Sequence, residues 1–208
     1  MLSPIPICSY CLSMLESPRD DDVRRILDPT ENQQQLEFAV SLWYYDRNGP
    51  VKTLHQRLKY REGYRLGQFL GRCIARQLLT AANESRRNLP DVVIPVPLHP
   101  IRVLERGFNQ AEALAVGISS ELGAFVSADV LSRKHLSRSQ VRLSRAERLE
   151  NLSNAFAIRR GDTIRGLHVL IVDDVITTGA TMLAAIRTLT TAPISDCSVA
   201  SLGLVRLK

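Results

Sequence analysis

The sequence predicts an α/β fold, a parallel sheet flanked by helices, with an accessory or hood lobe on its N-terminal side. Three observations predict it. After the polar stretch 82–89, strand and helix signals alternate. Leu167 to Val172 is a nearly continuous apolar run, the pattern of a parallel strand buried on both faces. That run leads into Asp173-Asp174 and a Thr/Gly turn opening a helix, and in an open α/β sheet ligands bind at this carboxyl edge.

Taken in order, residues 1–36 hold Pro4, Pro6, Pro18 and Pro29, the triplet Asp20-Asp21-Asp22 and the tract Gln33-Gln34-Gln35, so this segment is expected to add little core. Phe38 to Tyr45 is rich in β-formers and stops at Arg47-Asn48-Gly49-Pro50, a strand followed by a turn. Leu66, Phe69, Leu70, Cys73, Ile74 and Leu78 recur at helical spacing and define an amphipathic helix in an accessory lobe spanning 37–89. The core unit, 90–208, then reads as a strand at Asp91–Val96, a helix over Ala111–Leu122 and a strand within Phe125–Leu131. After a basic window come a short strand at Ala155–Ile158, the turn Arg160-Gly161-Asp162, the strand Leu167–Val172, a helix from Ala180 to about Thr190, and a last strand near Ser198–Val205.

With 208 residues, 45% of them hydrophobic and 23% charged, the chain has material for one well-buried domain, or a domain plus a small unit, and is not disordered as a whole. It contains no run of eighteen apolar residues, and its N-terminus lacks the basic and apolar regions of a signal peptide; no membrane insertion and a cytoplasmic location are expected. Four cysteines are too few for a disulfide framework.

The formal net charge is +6, and the cations are 23 arginines and only four lysines. Arginine presents a planar fork that meets phosphate oxygens two at a time. Residues 132–148, with Arg133, Lys134, Arg138, Arg142, Arg145 and Arg148 against Glu147, carry +5 of that charge. The window has no Phe, Tyr or Trp, which suits phosphate or pyrophosphate contact better than stacking of single-stranded bases.

The chemistry concentrates in Val169 to Thr181. A turn into a helix offers unpaired backbone N–H groups at the helix's positive end, Gly179 lets the chain approach closely, and Thr177, Thr178 and Thr181 add hydroxyls beside Ala180; such a turn can hold a phosphate. Asp173 and Asp174 would repel that phosphate on direct contact. Their use is to accept hydrogen bonds from vicinal sugar hydroxyls, directly or around Mg²⁺.

This segment resembles the phosphoribosyl pyrophosphate (PRPP) motif of type I phosphoribosyltransferases. Further runs, Pro95-Val96-Pro97-Leu98-His99-Pro100, Arg106-Gly107-Phe108-Asn109-Gln110, Leu143-Ser144-Arg145-Ala146-Glu147-Arg148 and Leu58-Lys59-Tyr60-Arg61, are similar to the competence protein F (ComF/GntX) family, over about Phe38 to Leu204. The resemblance implies a type I phosphoribosyltransferase-like sheet, a cytoplasmic protein and, in some bacteria, a part in DNA uptake during natural transformation. It implies that Asp173 and Asp174 meet the ribose or Mg²⁺, that Thr177–Thr181 hold the 5′-phosphate, and that the loop with Pro97, Leu98, His99 and Arg102 lies near pyrophosphate. Arg133, Lys134, Arg142, Ser144, Arg145 and Arg148 would belong to a flexible flap over it. The family often opens with paired Cys-x-x-Cys motifs for zinc. Here Cys8 and Cys11 stand alone and supply two of the four ligands a structural zinc wants, so zinc is not expected in a monomer.

Among the histidines, His168 falls inside a core strand, His55 on a polar helical stretch and His135 in the basic window; only His99, between two prolines, stays open as a site residue. Two functions remain: a transferase moving ribosyl 5-phosphate from PRPP to a nitrogen acceptor with release of pyrophosphate, or a non-catalytic module that senses PRPP or grips single-stranded DNA beside DNA-uptake proteins. The acceptor and the oligomeric state are left open.

Overall fold

The computed structural model describes residues 10, 13–27, 36–46, 48–60, 63–133 and 155–206. Its centre is a five-stranded, all-parallel sheet built from β1 (Leu36–Tyr44), β2 (Val92–Pro95), β3 (Phe125–Val126), β6 (His168–Ile176) and β7 (Asp196–Leu204), in the order β1-β7-β6-β2-β3. A separate two-stranded antiparallel ribbon joins β4 (Leu131–Arg133) to β5 (Phe156–Ile158), pairing Arg133 with Phe156.

Both faces of the sheet are covered, and the strands alternate their side chains between two cores. Val92, Ile94, Val169 and Ile171 turn to the face packed by α1 (Asp20–Leu27) and α6 (Ala180–Leu189). Val93, Leu170 and Val172 turn to the other face, under α2 (Pro50–Arg57), α3 (Gly63–Ser85) and α5 (Gln110–Leu122). The short α4 (Pro100–Arg106) lies between β2 and α5 in the chain and buries none of its residues. Leu70, Ile74, Leu114 and Ile118, all fully buried, join α3 to α5. The two helices meet backbone to backbone: a Cβ at Gly71 would run into the Leu114 carbonyl oxygen, and one at Gly117 into that of Gln68.

Two expectations are corrected. Residues 1–36 do contribute core, because α1 buries Val23, Ile26 and Leu27. Its acidic and basic residues conceal this: Asp20 Oδ1 accepts the Ala39 N–H at 2.8 Å and Arg24 donates to the Leu36 carbonyl at 2.7 Å, so polar side chains occupy backbone groups of the edge strand β1 while the apolar face packs inward. Residues 37–89 supply all but the first residue of β1 to the main sheet and α3 to one of its faces, and Phe38, Leu70, Val93 and Leu170 share one core across the boundary placed near residue 89. Pairing of β1 with β7, about 160 residues away, has no local signature in the sequence.

Candidate functional site

β6 runs on past its buried half, because β7 continues beside it, pairing Asp173 with Ser201 and Val175 with Gly203. Asp173 and Asp174 therefore sit on a strand held rigidly by its ladder, at the carboxyl edge of the sheet. The backbone is tightly turned around them: the Asp174 N–H donates to Asp173 Oδ1 and the Val175 N–H to Asp174 Oδ1, both at 2.8 Å. Across the edge, His55 Nε2–H of α2 donates to Asp174 Oδ2 at 2.8 Å, with the two side chains 13% and 22% exposed. Tyr45, just after β1, meets the His55 ring edge-on at 5.6 Å between centroids.

Their surroundings push the two carboxyls in opposite directions. Burial, then the neighbouring Asp174 charge, holds Asp173 well above the usual carboxylate range. Burial pushes Asp174 up too, but the His55 hydrogen bond and charge, helped by the Val175 N–H, outweigh it and leave Asp174 below its ordinary value.

Beyond β6 the chain turns through exposed Thr177 and Thr178 to Gly179, the residue before α6. Gly179 has φ +75° and ψ −13°, and a Cβ there would sit 2.8 Å from the Ile26 carbonyl oxygen of α1, so both conformation and packing require glycine. With no side-chain cap, the first N–H groups of α6 stay available at the helix's positive end.

These parts converge on one cleft of about 340 Å³. Asp173, Asp174, Val175, Thr177 and Thr181 form its floor and one wall; Val96, Pro97, Leu98, Arg106, Asn109, Gln110 and Ala111 form a second; Arg133 reaches it from β4; and Tyr45, His55 and Lys59 close it from the β1 side. Asn109 fixes the second wall, accepting the Ala111 N–H at 3.1 Å and donating to the Val96 carbonyl at 3.0 Å, while Arg106 donates to Gln110 Oε1 at 2.8 Å.

Residues 74–201 match the phosphoribosyl transferase domain family. The chain belongs to this family. It is also 32% identical to Competence protein F of Haemophilus influenzae over 186 residues, 87% of this chain and 77% of that protein, and 32% identical to Competence protein ComFC of Streptococcus pneumoniae over 202 residues, 94% and 86% respectively. The likeness to the competence protein F family is thereby shown. DNA utilization protein YhgH of Salmonella typhimurium is 34% identical over 137 residues; the chain covers 66% of itself and only 60% of that relative.

Within this phosphoribosyl transferase domain, the structure brings Asp173, Asp174, Thr177, Thr181, Pro97, Leu98 and Arg133 to one cleft, with Thr178, Gly179 and Ala180 in the turn behind it. It places two candidates elsewhere. His99 caps α4, its Nδ1 accepting the Ile101 N–H, and Arg102 pairs with Glu105 at 2.8 Å; neither lines the cleft. Lys134, Arg142, Ser144, Arg145 and Arg148 of the basic window, and Cys8 and Cys11, lie outside the described residues. Among the described residues no cluster of three or more His, Cys, Asp or Glu could hold a metal, and no helix is long and apolar enough to cross a membrane.

Sequence reasoning missed His55, Tyr45, Lys59, Arg106, Asn109 and Gln110. The sequence places His55 on a polar helical stretch, yet it is the direct partner of Asp174, 119 positions away. Asn109 could have been found, since Gly107-Phe108-Asn109 combines a left-handed helix end, φ +83° at Gly107, with a helix-capping residue.

Proposed function

We propose that this phosphoribosyl transferase domain binds PRPP with Mg²⁺ and transfers the ribosyl 5-phosphate group to a nitrogen acceptor, releasing pyrophosphate. The observation that carries the proposal is the convergence, in one cleft, of the acid pair of β6 and the open N-terminal turn of α6. The two features suit opposite ends of a phosphorylated sugar. Uncapped amides and the Thr177 and Thr181 hydroxyls suit the 5′-phosphate, and the carboxylates accept from the vicinal hydroxyls.

Mg²⁺ takes oxygen ligands and typically one or two carboxylates, completing its shell with water and substrate phosphates, so Asp173 and Asp174 fit it without a third protein ligand. When bound, the ion would neutralise charge developing on the departing pyrophosphate. The protein's own part is orientation and electrostatics. β6 and its ladder fix the carboxylates, the His55 hydrogen bond restrains Asp174 and favours its ionised form, and Arg106 and Arg133 line the wall toward which negative charge would move. The remaining arginines of 132–148 are assigned to a flap closing over pyrophosphate and excluding water.

The names of the relatives support a role in competence or DNA utilisation, with DNA-uptake proteins or single-stranded DNA as partners, and a cytoplasmic location belongs to the same proposal. Titration calorimetry with PRPP and Mg²⁺, followed by pyrophosphate release against a panel of bases and amines, tests it. Binding with turnover is expected. Binding without turnover would replace the transferase by a PRPP-sensing module, and absence of PRPP binding would remove both.

A further inference from the structure

The order of strands at the carboxyl edge gives the cleft a direction. The acid pair on β6 stands in the middle; Val96, Pro97, Leu98 and Arg106 lie on the β2 side; Tyr45, His55 and Lys59 lie on the opposite side, beyond β7, where β1 ends. Displacement at a sugar's anomeric carbon is in line, so an acceptor must enter from the face opposite the leaving group. With pyrophosphate toward β2, the acceptor comes from the side of Tyr45, His55 and Lys59.

That side holds an unused cation. Lys59 is half-buried and follows Leu58, which is fully buried and caps α2, so the stem leaves a fixed point. Lys59 lines the cleft, and among the described residues its side chain has no ion pair or hydrogen bond. The nearby Asp174 carboxylate is engaged by His55, whose Nδ1 is buried with no partner among the described residues. A half-buried ammonium facing a cleft with no counter-ion is suited to recognise one brought by a ligand.

We propose that Lys59 selects an acceptor carrying an anionic group, a carboxylate or phosphate, beside its reacting nitrogen. This deepens the transferase proposal and rests on it for the identity of the ligand as acceptor. In the step, the acceptor nitrogen forms a bond to the anomeric carbon and the bond from that carbon to the pyrophosphate oxygen breaks with its electron pair leaving on pyrophosphate; an N–H acceptor then passes its proton to water, whereas a pyridine-type nitrogen has none to lose and remains as the cationic adduct. Lys59 touches only the acceptor's anionic group and sets specificity.

The test compares probe pairs that differ in the anionic group: nicotinate with nicotinamide, and orotate with uracil. Each is titrated onto the full chain by ligand-observed NMR, with and without Mg²⁺ and PRPP, and pyrophosphate release is measured in parallel. At least one anionic member should bind about tenfold more tightly than its neutral partner. Lys59→Met should erase that preference and Lys59→Arg should keep it, with both variants melting as wild type does. Equal affinity within every pair, or a preference that survives in Lys59→Met, overturns the proposal. The two failures separate: a Lys59-dependent preference without pyrophosphate release from any probe sinks the transferase alone, whereas release that ignores both acceptor charge and Lys59 sinks the specificity assignment alone.

Discussion

One strand, β6, contains two kinds of residue under different physical rules. In its first half Val169, Leu170, Ile171 and Val172 are wholly buried and alternate between the two cores, so each side chain contributes by leaving water. Beyond Val172 the pairing with β7 continues but the cover thins over Asp173, Asp174 and Val175, so the two acids are partly open to a cleft before Ile176 returns to the core. The ladder that makes the first half stable makes the second half rigid. Here the site is placed where backbone order outlasts side-chain cover, and it holds a carboxyl whose charge burial disfavours.

The largest effect that could break this contrast is loss of the ligand without loss of the fold. Asp173→Asn combined with Asp174→Asn should bring PRPP binding below calorimetric detection, with an unchanged circular dichroism spectrum. Because Asp173 has a raised pKa in the folded protein, its ionised form costs native stability above the unfolded value; Asp173→Asn alone should melt no lower than wild type at pH 7. Asp174→Asn should melt lower, since it weakens the bond to half-buried His55. Wild-type PRPP affinity in the double variant would show that the acid pair is not the sugar site.

Next in size is the converse change. Ile171→Ala removes a wholly buried side chain two residues before the acid pair and should cost about 2–5 kcal/mol in denaturant unfolding, while the folded fraction still binds PRPP. Loss of PRPP binding in a fully folded Ile171→Ala would mean that the two halves are not separable.

The same contrast explains what could be read from sequence. β6, the acid pair, the Thr/Gly turn and α6 lie within 22 consecutive residues, and local rules suffice: an apolar run, a turn residue, a helical period. α5 and β7 were legible for the same reason. What escaped was assembled by the fold. α1 looks polar because Asp20 and Arg24 serve the backbone of β1; its buried Val23, Ile26 and Leu27 do follow helical spacing, but in a single eight-residue stretch crowded with charges. His55 gains its role only when α2 is brought to β6, and Tyr45 and Lys59 join the cleft by the same placement. Nothing near residue 55 in the sequence announces a partner at 174.

The basic window sharpens the comparison from outside the strand. If its arginines close over pyrophosphate, Arg142→Ala and Arg145→Ala should each weaken PRPP about tenfold, the scale of one lost charge-assisted hydrogen bond, and leave ribose 5-phosphate nearly unaffected. If the window tracks DNA, the same variants should instead lower single-stranded DNA affinity and flatten its salt dependence by roughly 0.7 log unit per lost phosphate contact. Unchanged PRPP affinity with a clear loss of DNA binding would remove the flap.

The smallest expected effect concerns His168, which opens the buried half of β6. It is 4% exposed, its Nε2 shares a 2.7 Å hydrogen bond with Ser198 Oγ, and it stacks on Phe38 at 6.1 Å. Burial holds its pKa below the ordinary value of 6.5, against the smaller upward pull of Asp196, Glu37 and Asp91. The native state thus resists a proton that the unfolded chain accepts. As pH falls below 6.5 the unfolded state binds more protons, and stability should drop until the pH passes the folded value, by at most about 1.4 kcal/mol per pH unit from this one group. Above pH 6.5 the group should contribute no slope. His168→Gln cannot take up that proton, so in urea unfolding between pH 7 and 5 it should lose stability less steeply than wild type, whatever its stability at pH 7. Equal slopes would show that His168 takes up its proton equally in both states, and the buried half of β6 would then tolerate a charge as its open half does.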